Sequence, residues 1–157
     1  LQPSVRTVLL KSFNEDGFVF YTNYDSKKGI EIKENDKVAL LFWHREHERQ
    51  IRIEGAAVKT SNELNEVYFR SRPRESQIAA FISKQSIIVE NRDVLDKKFI
   101  KATEEFNNKE IPFKINWGGY LIKPCLFEFW QGRESRLHDR IIYEWEAGAW
   151  QCARLAP

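Results

Sequence analysis

The stretch Val5–Thr22, VRTVLLKSFNEDGFVFYT, decides the fold class. Two runs rich in β-branched and aromatic residues, Val5–Lys11 and Phe18–Thr22, flank Asn14-Glu15-Asp16-Gly17. Gly supplies the positive φ that tight hairpin turns need, so the stretch predicts a β-hairpin. Outward from it, Asp25-Ser26 offers an N-cap for a short helix over Lys27–Asn35. Strands follow at Val38–Trp43 and Arg49–Lys59, where Gln50, Arg52 and Glu54 alternate against Ile51 and Ile53. Ser61-Asn62-Glu63-Leu64 resembles a shifted capping box and opens a helix to about Arg70. Pro73 restarts the chain, and Glu75–Ser83 reads as another helix. Asp93–Asn107 carries Leu95, Phe99, Ala102 and Phe106 at helical spacing. Ile111–Asn116, with Pro112, is a connector. Gly119–Trp130, Arg136–Glu146 and Trp150–Arg154 read as strands, the last two joined at Ala147-Gly148. Antiparallel strands in succession with inserted helices predict a mainly β, α+β fold with a barrel-like sheet.

A chain of 157 residues without repeats, linkers or low-complexity segments is expected to be one domain, residues 1–157. Its 42% hydrophobic and 13% aromatic content excludes disorder. A net charge of +2 is too mild to mark a nucleic-acid binder, so any functional charge must be local. Cys125 and Cys152 form no CxxC pair, and no zinc signature occurs. His44 and His47 sit beside Arg45 and Arg49 in an expected turn, and no metal site is expected there. Two unclustered thiols fit a reducing cytosol best, with a single disulfide still open. No apolar run approaches the ~20 residues that span a bilayer. The chain opens at Leu1 rather than Met, and a preceding N-terminal segment is expected to be missing from it.

Local charge clusters supply the functional candidates. If a strand starts at Arg136, alternation puts Arg136, His138 and Arg140 on one face. Two guanidiniums and an imidazole suit an anion or an electron-rich ring, and Trp130 upstream could pack on a flat ligand. A solvated edge strand has the same pattern. Tyr68-Phe69-Arg70-Ser71-Arg72-Pro73-Arg74-Glu75-Ser76 lies between two helices, where free N–H groups and the helix dipole favour phosphate. A basic surface turn, or an RNA patch using Arg70, Arg72 and Arg74, would read alike. Arg6 and Lys11, five positions apart in one strand, are expected on opposite faces and could serve two anions. Lys27 and Lys28 at a helix start oppose the dipole, which hints at a compensating anion. Lys84-Gln85-Ser86 adds uncharged donors.

In this order, RTVLLK, FYTNYDSKKG, ERQIRIEG, YFRSRPRESQI, SKQS, WGGY, EFWQG, RLHDR and RLAP resemble the pyridoxamine 5′-phosphate oxidase family from about Arg6 to Pro157. Each motif is weak alone, and their joint register is specific. The resemblance implies a homodimeric split β-barrel with two FMN molecules between the subunits and a C-terminal dimerisation region over about 117–157. It implies oxidation of pyridoxine or pyridoxamine 5′-phosphate to pyridoxal 5′-phosphate, with O₂ as final acceptor. By the same resemblance FMN is held by Arg6, Thr7, Val8, Leu9, Tyr21, Thr22, Lys27, Lys28, Gln50, Gln85, Ser86, Trp130 and Arg140. Lys11, Tyr68, Arg72 and Ser76 take the substrate phosphate. Arg136, Leu137 and His138 meet the substrate ring, with Arg136 and His138 as catalytic candidates. Lys27-Lys28 stands where the family often has Arg-Lys, and Thr7 where methionine is common. The family's N-terminal segment, part of which can fold over the substrate, is not in the chain. Two other classes remain: another split-barrel flavin or deazaflavin reductase, and a non-catalytic module binding pyridoxal phosphate or RNA.

Overall fold

The structure, a computed structural model, describes residues 2–157. Seven antiparallel strands form one sheet, with four helices set between them in sequence. β1 (Ser12–Asn14) and β2 (Gly17–Asn23) form a hairpin at the expected turn, where Gly17 takes φ 140°. α1 (Lys27–Glu34) starts on Ser26, whose hydroxyl accepts the Gly29 N–H at 3.2 Å. β3 (Lys37–His44) and β4 (Arg49–Lys59) follow, then α2 (Asn62–Ser71), α3 (Arg74–Ile82) and α4 (Arg92–Glu105). β5 (Trp117–Gln131), β6 (Asp139–Glu146) and β7 (Ala149–Leu155) complete the chain. Ser61 and Asn91 cap α2 and α4, accepting from the Leu64 and Val94 N–H groups.

β5 organises the molecule. One edge pairs with β4 along almost its whole length. The other edge is divided: Trp117–Ile122 pair with β2, and Leu126–Gln131 pair with β6. The division falls where the β4–β5 register slips between Glu54 and Gly55. A bulge adds local twist and bends its strand, which curls the sheet there. Gly55 is required at that bend, because a Cβ would lie 2.2 Å from the Lys123 carbonyl oxygen.

Each face of the first half of β5 has its own core. Phe69, Ile78, Ala102, Phe106, Ile111 and Trp117 pack the helices against one side. Phe20, Ile32, Ala57, Tyr120 and Ile122 pack α1 into the other. Burying such side chains contributes roughly 1.5–3 kcal/mol each. The second half of β5 is different. Phe129, Tyr143, Trp145 and Trp150 remain exposed on the β5–β6–β7 sheet.

Two expected strands depart from the sequence pattern: Val5–Lys11 does not form one, and Arg136–Glu146 starts late. Residues 2–11 form no strand, and only the Lys11 N–H reaches β2, at the Val19 carbonyl (2.8 Å). Arg6, Thr7, Val8 and Leu9 line a cavity instead of extending the ladder. β6 begins at Asp139, not Arg136. Ser135 and Arg136 have φ values of 55° and 61°, left-handed conformations that no strand accommodates. Glu134–Arg136 therefore form a tight left-handed turn, and strand alternation does not place Arg136, His138 and Arg140 on one face.

Candidate functional site

A cavity of about 700 Å³ opens beside the first half of β5. The N-terminal segment, β2, α1, the α2–α3 junction and Trp117 enclose it. Among the described residues four cations line it, Arg6, Lys11, Lys28 and Arg72, and no carboxylate does. Arg6 and Lys11 were expected on opposite faces. They line the same cavity because their segment is not a regular strand.

Arg72 caps the C-terminal end of α2 and lies over the Trp117 ring, 4.6 Å from its centroid. Its Nη1 is buried with no hydrogen-bond partner among the described residues. Burial holds its guanidinium below the usual arginine range. A buried, unpartnered cationic donor is costly unless an acceptor arrives. Lys28 is in a related state. Burial first, and Arg6 second, lower its pKa to about 8. Its Nζ donates to the Thr22 hydroxyl, which donates to Gln85 Oε1 at 3.0 Å. That relay orients Gln85 and leaves its amide NH₂ for another acceptor.

Tyr21 and Tyr68 stack with centroids 4.0 Å apart, and Trp117 continues the stack 5.3 Å from Tyr21. Burial first, and neighbouring Tyr68 next, raise the Tyr21 pKa, so its phenol stays protonated. α3 begins at Pro73 with no side-chain cap, and both Pro73 and Ser76 face the cavity. Its first N–H groups and positive dipole end suit an anion. The basic trio of the sequence disperses here. Arg70 pairs with Glu66 (2.7 Å) and Glu110 (3.2 Å), while Arg74 donates to the Phe106 and Lys109 carbonyls. Only Arg72 is left to the cavity, so the patch an RNA reading needs does not form.

A second cluster lies at the far end of β5. Trp130 pairs with Gln50 on β4 and Arg140 on β6, which places the three in one row on one face. His138 packs against Trp130 with centroids 4.7 Å apart. The Arg133 N–H donates to His138 Nδ1 at 3.1 Å. Nδ1 is therefore the acceptor, and neutral His138 carries its proton on Nε2. Asp139 accepts from Arg133 (2.7 Å) and also pairs with Arg154. These two cations, Arg133 first, hold its carboxyl below the ordinary range.

Arg6, Thr7, Val8, Leu9, Lys11, Tyr21, Thr22, Lys28, Tyr68, Arg72, Ser76 and Gln85 meet in the cavity. Gln50, Trp130, Arg136, Leu137, His138 and Arg140 do not line it. Lys27 also lies outside, pairing outward with Glu31 at 3.8 Å, and so does left-handed Ser86. Trp117, Asn23 and Ser83 line the cavity and were not singled out from the sequence. For Trp117 a signal existed: an aromatic before Gly118-Gly119 marks a strand start that neighbours approach closely. A Cβ on Gly118 would lie 2.3 Å from the Tyr24 hydroxyl.

Two family models match the chain, "Pyridoxamine 5′-phosphate oxidase" over residues 2–105 and "Pyridoxine 5′-phosphate oxidase C-terminal dimerisation region" over 117–157. A pyridoxine/pyridoxamine 5′-phosphate oxidase of Aliarcobacter butzleri is 52% identical over all of this chain and 74% of its own length. A pyridoxine/pyridoxamine 5′-phosphate oxidase 1 of Hydrogenovibrio crunogenus is 53% identical, over 99% of this chain and 73% of its own. Among solved structures, PhzG from Burkholderia lata, in complex with tetrahydrophenazine-1-carboxylic acid, superposes with a TM-score of 0.91. It is 28% identical, over 98% of this chain and 75% of that one. A pyridoxamine 5′-phosphate oxidase-related, FMN-binding protein from Nostoc punctiforme shares the fold at TM-score 0.74 and 15% identity, over 99% of this chain and 81% of that one. The curled sheet is thus the split barrel of these proteins, and the chain belongs to the pyridoxamine 5′-phosphate oxidase family.

Proposed function

We propose that the chain oxidises pyridoxine and pyridoxamine 5′-phosphates to pyridoxal 5′-phosphate, with FMN as cofactor and O₂ as electron acceptor. One observation carries the assignment of the cavity to phosphorylated ligands: the buried, unpartnered Arg72 Nη1 in a cationic lining without carboxylates. The donor set fits FMN as well as substrate. Arg6, Lys28 and the backbone of Thr7, Val8 and Leu9 would hold the cofactor, with Tyr21, Thr22 and Gln85 beside them. Lys27 and Ser86 are weaker members, since both stand outside the lining. Lys11, Tyr68, Arg72 and Ser76 would take the substrate phosphate, so the ring is fixed through its tail.

When bound, FMN supplies hydride acceptance and electron transfer to O₂. The protein supplies position and charge. Arg136 would hold the substrate ring and stabilise charge on its oxygen, beside Leu137. His138 would donate from Nε2 to the substrate's oxygen or amine, because the Arg133 N–H occupies Nδ1.

The remaining residues require a second copy. From Trp117 to Trp130 β5 rises by on the order of 40 Å, at about 3.3 Å per residue. The cavity does not extend that far. Gln50, Trp130, Arg136, His138 and Arg140 would therefore complete the site of a partner subunit in a homodimer. The exposed aromatics on β5–β7 lie within the region matched as dimerising, which supports that assembly. One domain per chain, residues 1–157, would fold as half of this unit. No helix among the described residues is long and apolar enough to cross a membrane. The compartment we propose is the cytosol.

The test is spectral. The purified chain should carry or take up FMN, and anaerobic pyridoxine 5′-phosphate should bleach its visible band. A protein that binds FMN but is not bleached by either phosphorylated vitamer would exclude the oxidase in favour of another flavin reductase. A colourless chain that cannot be reconstituted with FMN would exclude both.

A further inference from the structure

Glu128 is the one charged residue among the buried polar residues of the described chain, at 3% exposure. It lies in the middle of β5, opposite Arg52 on β4 and Ile142 on β6. Both carboxylate oxygens are used. Oε2 accepts from Arg52 Nε (3.1 Å) and Nη2 (2.8 Å), and Oε1 accepts from Arg140 Nε (2.7 Å). Arg52 is held a second time by Glu54, and Arg140 Nη1 donates to the Ala156 carbonyl at 2.9 Å.

A buried carboxylate between two half-buried arginines is a poor way to stabilise a sheet, because desolvation of Glu128 offsets much of the attraction. The register shows what else it does. Directly paired residues share a face and alternate along each strand. Gln50, Trp130 and Arg140 form one row, and Arg52, Glu128 and Ile142 form the next row on the same face. Glu128 thus stands immediately behind the row proposed to meet FMN. Its bond to Nε and the Ala156 bond to Nη1 hold the Arg140 guanidinium at two separate points, and among the described residues Nη2 has no partner. The hydrogen bonds from Arg140 and then Arg52 keep the Glu128 carboxyl below its usual range despite burial. The charge that orients Arg140 is accordingly permanent at neutral pH.

We propose that Glu128 is a positioning residue for the cofactor site: its buried carboxylate fixes the Arg140 side chain so that the free guanidinium end meets FMN. The proposal rests on the assignment of Arg140 to the cofactor. Arg52 completes the device by neutralising the second oxygen, which stops Glu128 from turning away.

The test is a double-mutant cycle on FMN affinity, read by quenching of flavin fluorescence as FMN is titrated into the full-length apoprotein. Glu128→Gln keeps the shape and removes the charge. It should raise the FMN Kd at least tenfold when Arg140 is present, and less than twofold in an Arg140→Ala background. The apoprotein Tm is read alongside. An equal loss of affinity in both backgrounds, or no loss in either, would overturn the positioning role. If Arg140→Ala alone left the FMN Kd unchanged, the cofactor assignment of Arg140 would fall, and this proposal with it. Should Glu128→Gln not fold, the Arg52→Met/Glu128→Gln double variant removes the stranded guanidinium, and the same cycle is read on it.

Discussion

The two ends of β5 solve opposite problems. At Trp117 the strand is covered on both faces, and its neighbours enclose a cavity lined by Arg6, Lys11, Lys28 and Arg72. At Trp130 the strand is flanked by exposed aromatics, and most charges there are already paired: Glu128 with two arginines, Asp139 with two more. One end is a finished fold around a cationic cavity. The other is a finished set of charges waiting for a surface. In the twofold dimer proposed above, each end would meet its complement on the other copy.

The largest expected effect concerns the finished end. Phe69 is fully buried against Trp117, Phe113 and the helices, so Phe69→Ala should cost about 3–5 kcal/mol in a chemical denaturation series. Trp145→Ser, at the open end, should leave the chain folded and weaken self-association, measured by sedimentation. If Trp145→Ser destabilised the fold as much as Phe69→Ala, the contrast between the two ends would be wrong.

Next comes the phosphate grip. If Arg72 takes the substrate phosphate as proposed, Arg72→Ala would remove a charge-assisted contact of roughly 1.5–3 kcal/mol, so KM for pyridoxine 5′-phosphate should rise about ten- to hundredfold with a smaller change in kcat. Arg136→Ala, from the other cluster, should lower kcat as well. Steady-state kinetics on both variants separates grip from chemistry.

A smaller effect is set by Lys28. Its pKa in the folded chain is lowered from 10.5 to about 8 by burial and by Arg6. The unfolded chain therefore binds more protons between these values, and this group makes the ligand-free protein more stable as pH rises through 8. Affinity for FMN should move the other way, because the neutral amine no longer attracts phosphate. Titration of apoprotein with FMN at pH 7 and pH 9 checks the sign, and Lys28→Met should flatten that part of the profile. Smallest of all, Cys125→Ser should change stability by less than about 0.5 kcal/mol, since the thiol is free and exposed.

Much of this was legible in the sequence. The β1–β2 turn, the whole of β4 and the Ser26 and Ser61 caps follow from local chemistry that tertiary contacts do not override. Local chemistry was insufficient at Arg136 and at Val5–Lys11. Arg136 carries no signal for a left-handed backbone, because the turn is imposed by the bonds among Arg133, His138 and Asp139. Residues 5–11 have strand composition, yet Arg6–Leu9 and Lys11 line the cavity and do not extend the β1 edge of β2. Charge alone flagged Arg72, Lys28 and Arg140. It did not separate Lys28 from Lys27, which differ by which side of α1 they occupy. Glu128 escaped notice because its partners, Arg52 and Arg140, come from strands whose register only the fold sets.

The central claim is that the two clusters act on one ligand pair from two different chains. Subunit complementation tests it most directly: Arg72→Ala and Arg136→Ala proteins are each assayed, then unfolded, mixed and refolded together. In mixed dimers one site inherits both substitutions and the other inherits neither. With random pairing, activity should recover to about a quarter of the unsubstituted enzyme's. Activity no higher than the average of the two variants, with mixed dimers demonstrably present, would place both arginines in one chain's site and contradict the account.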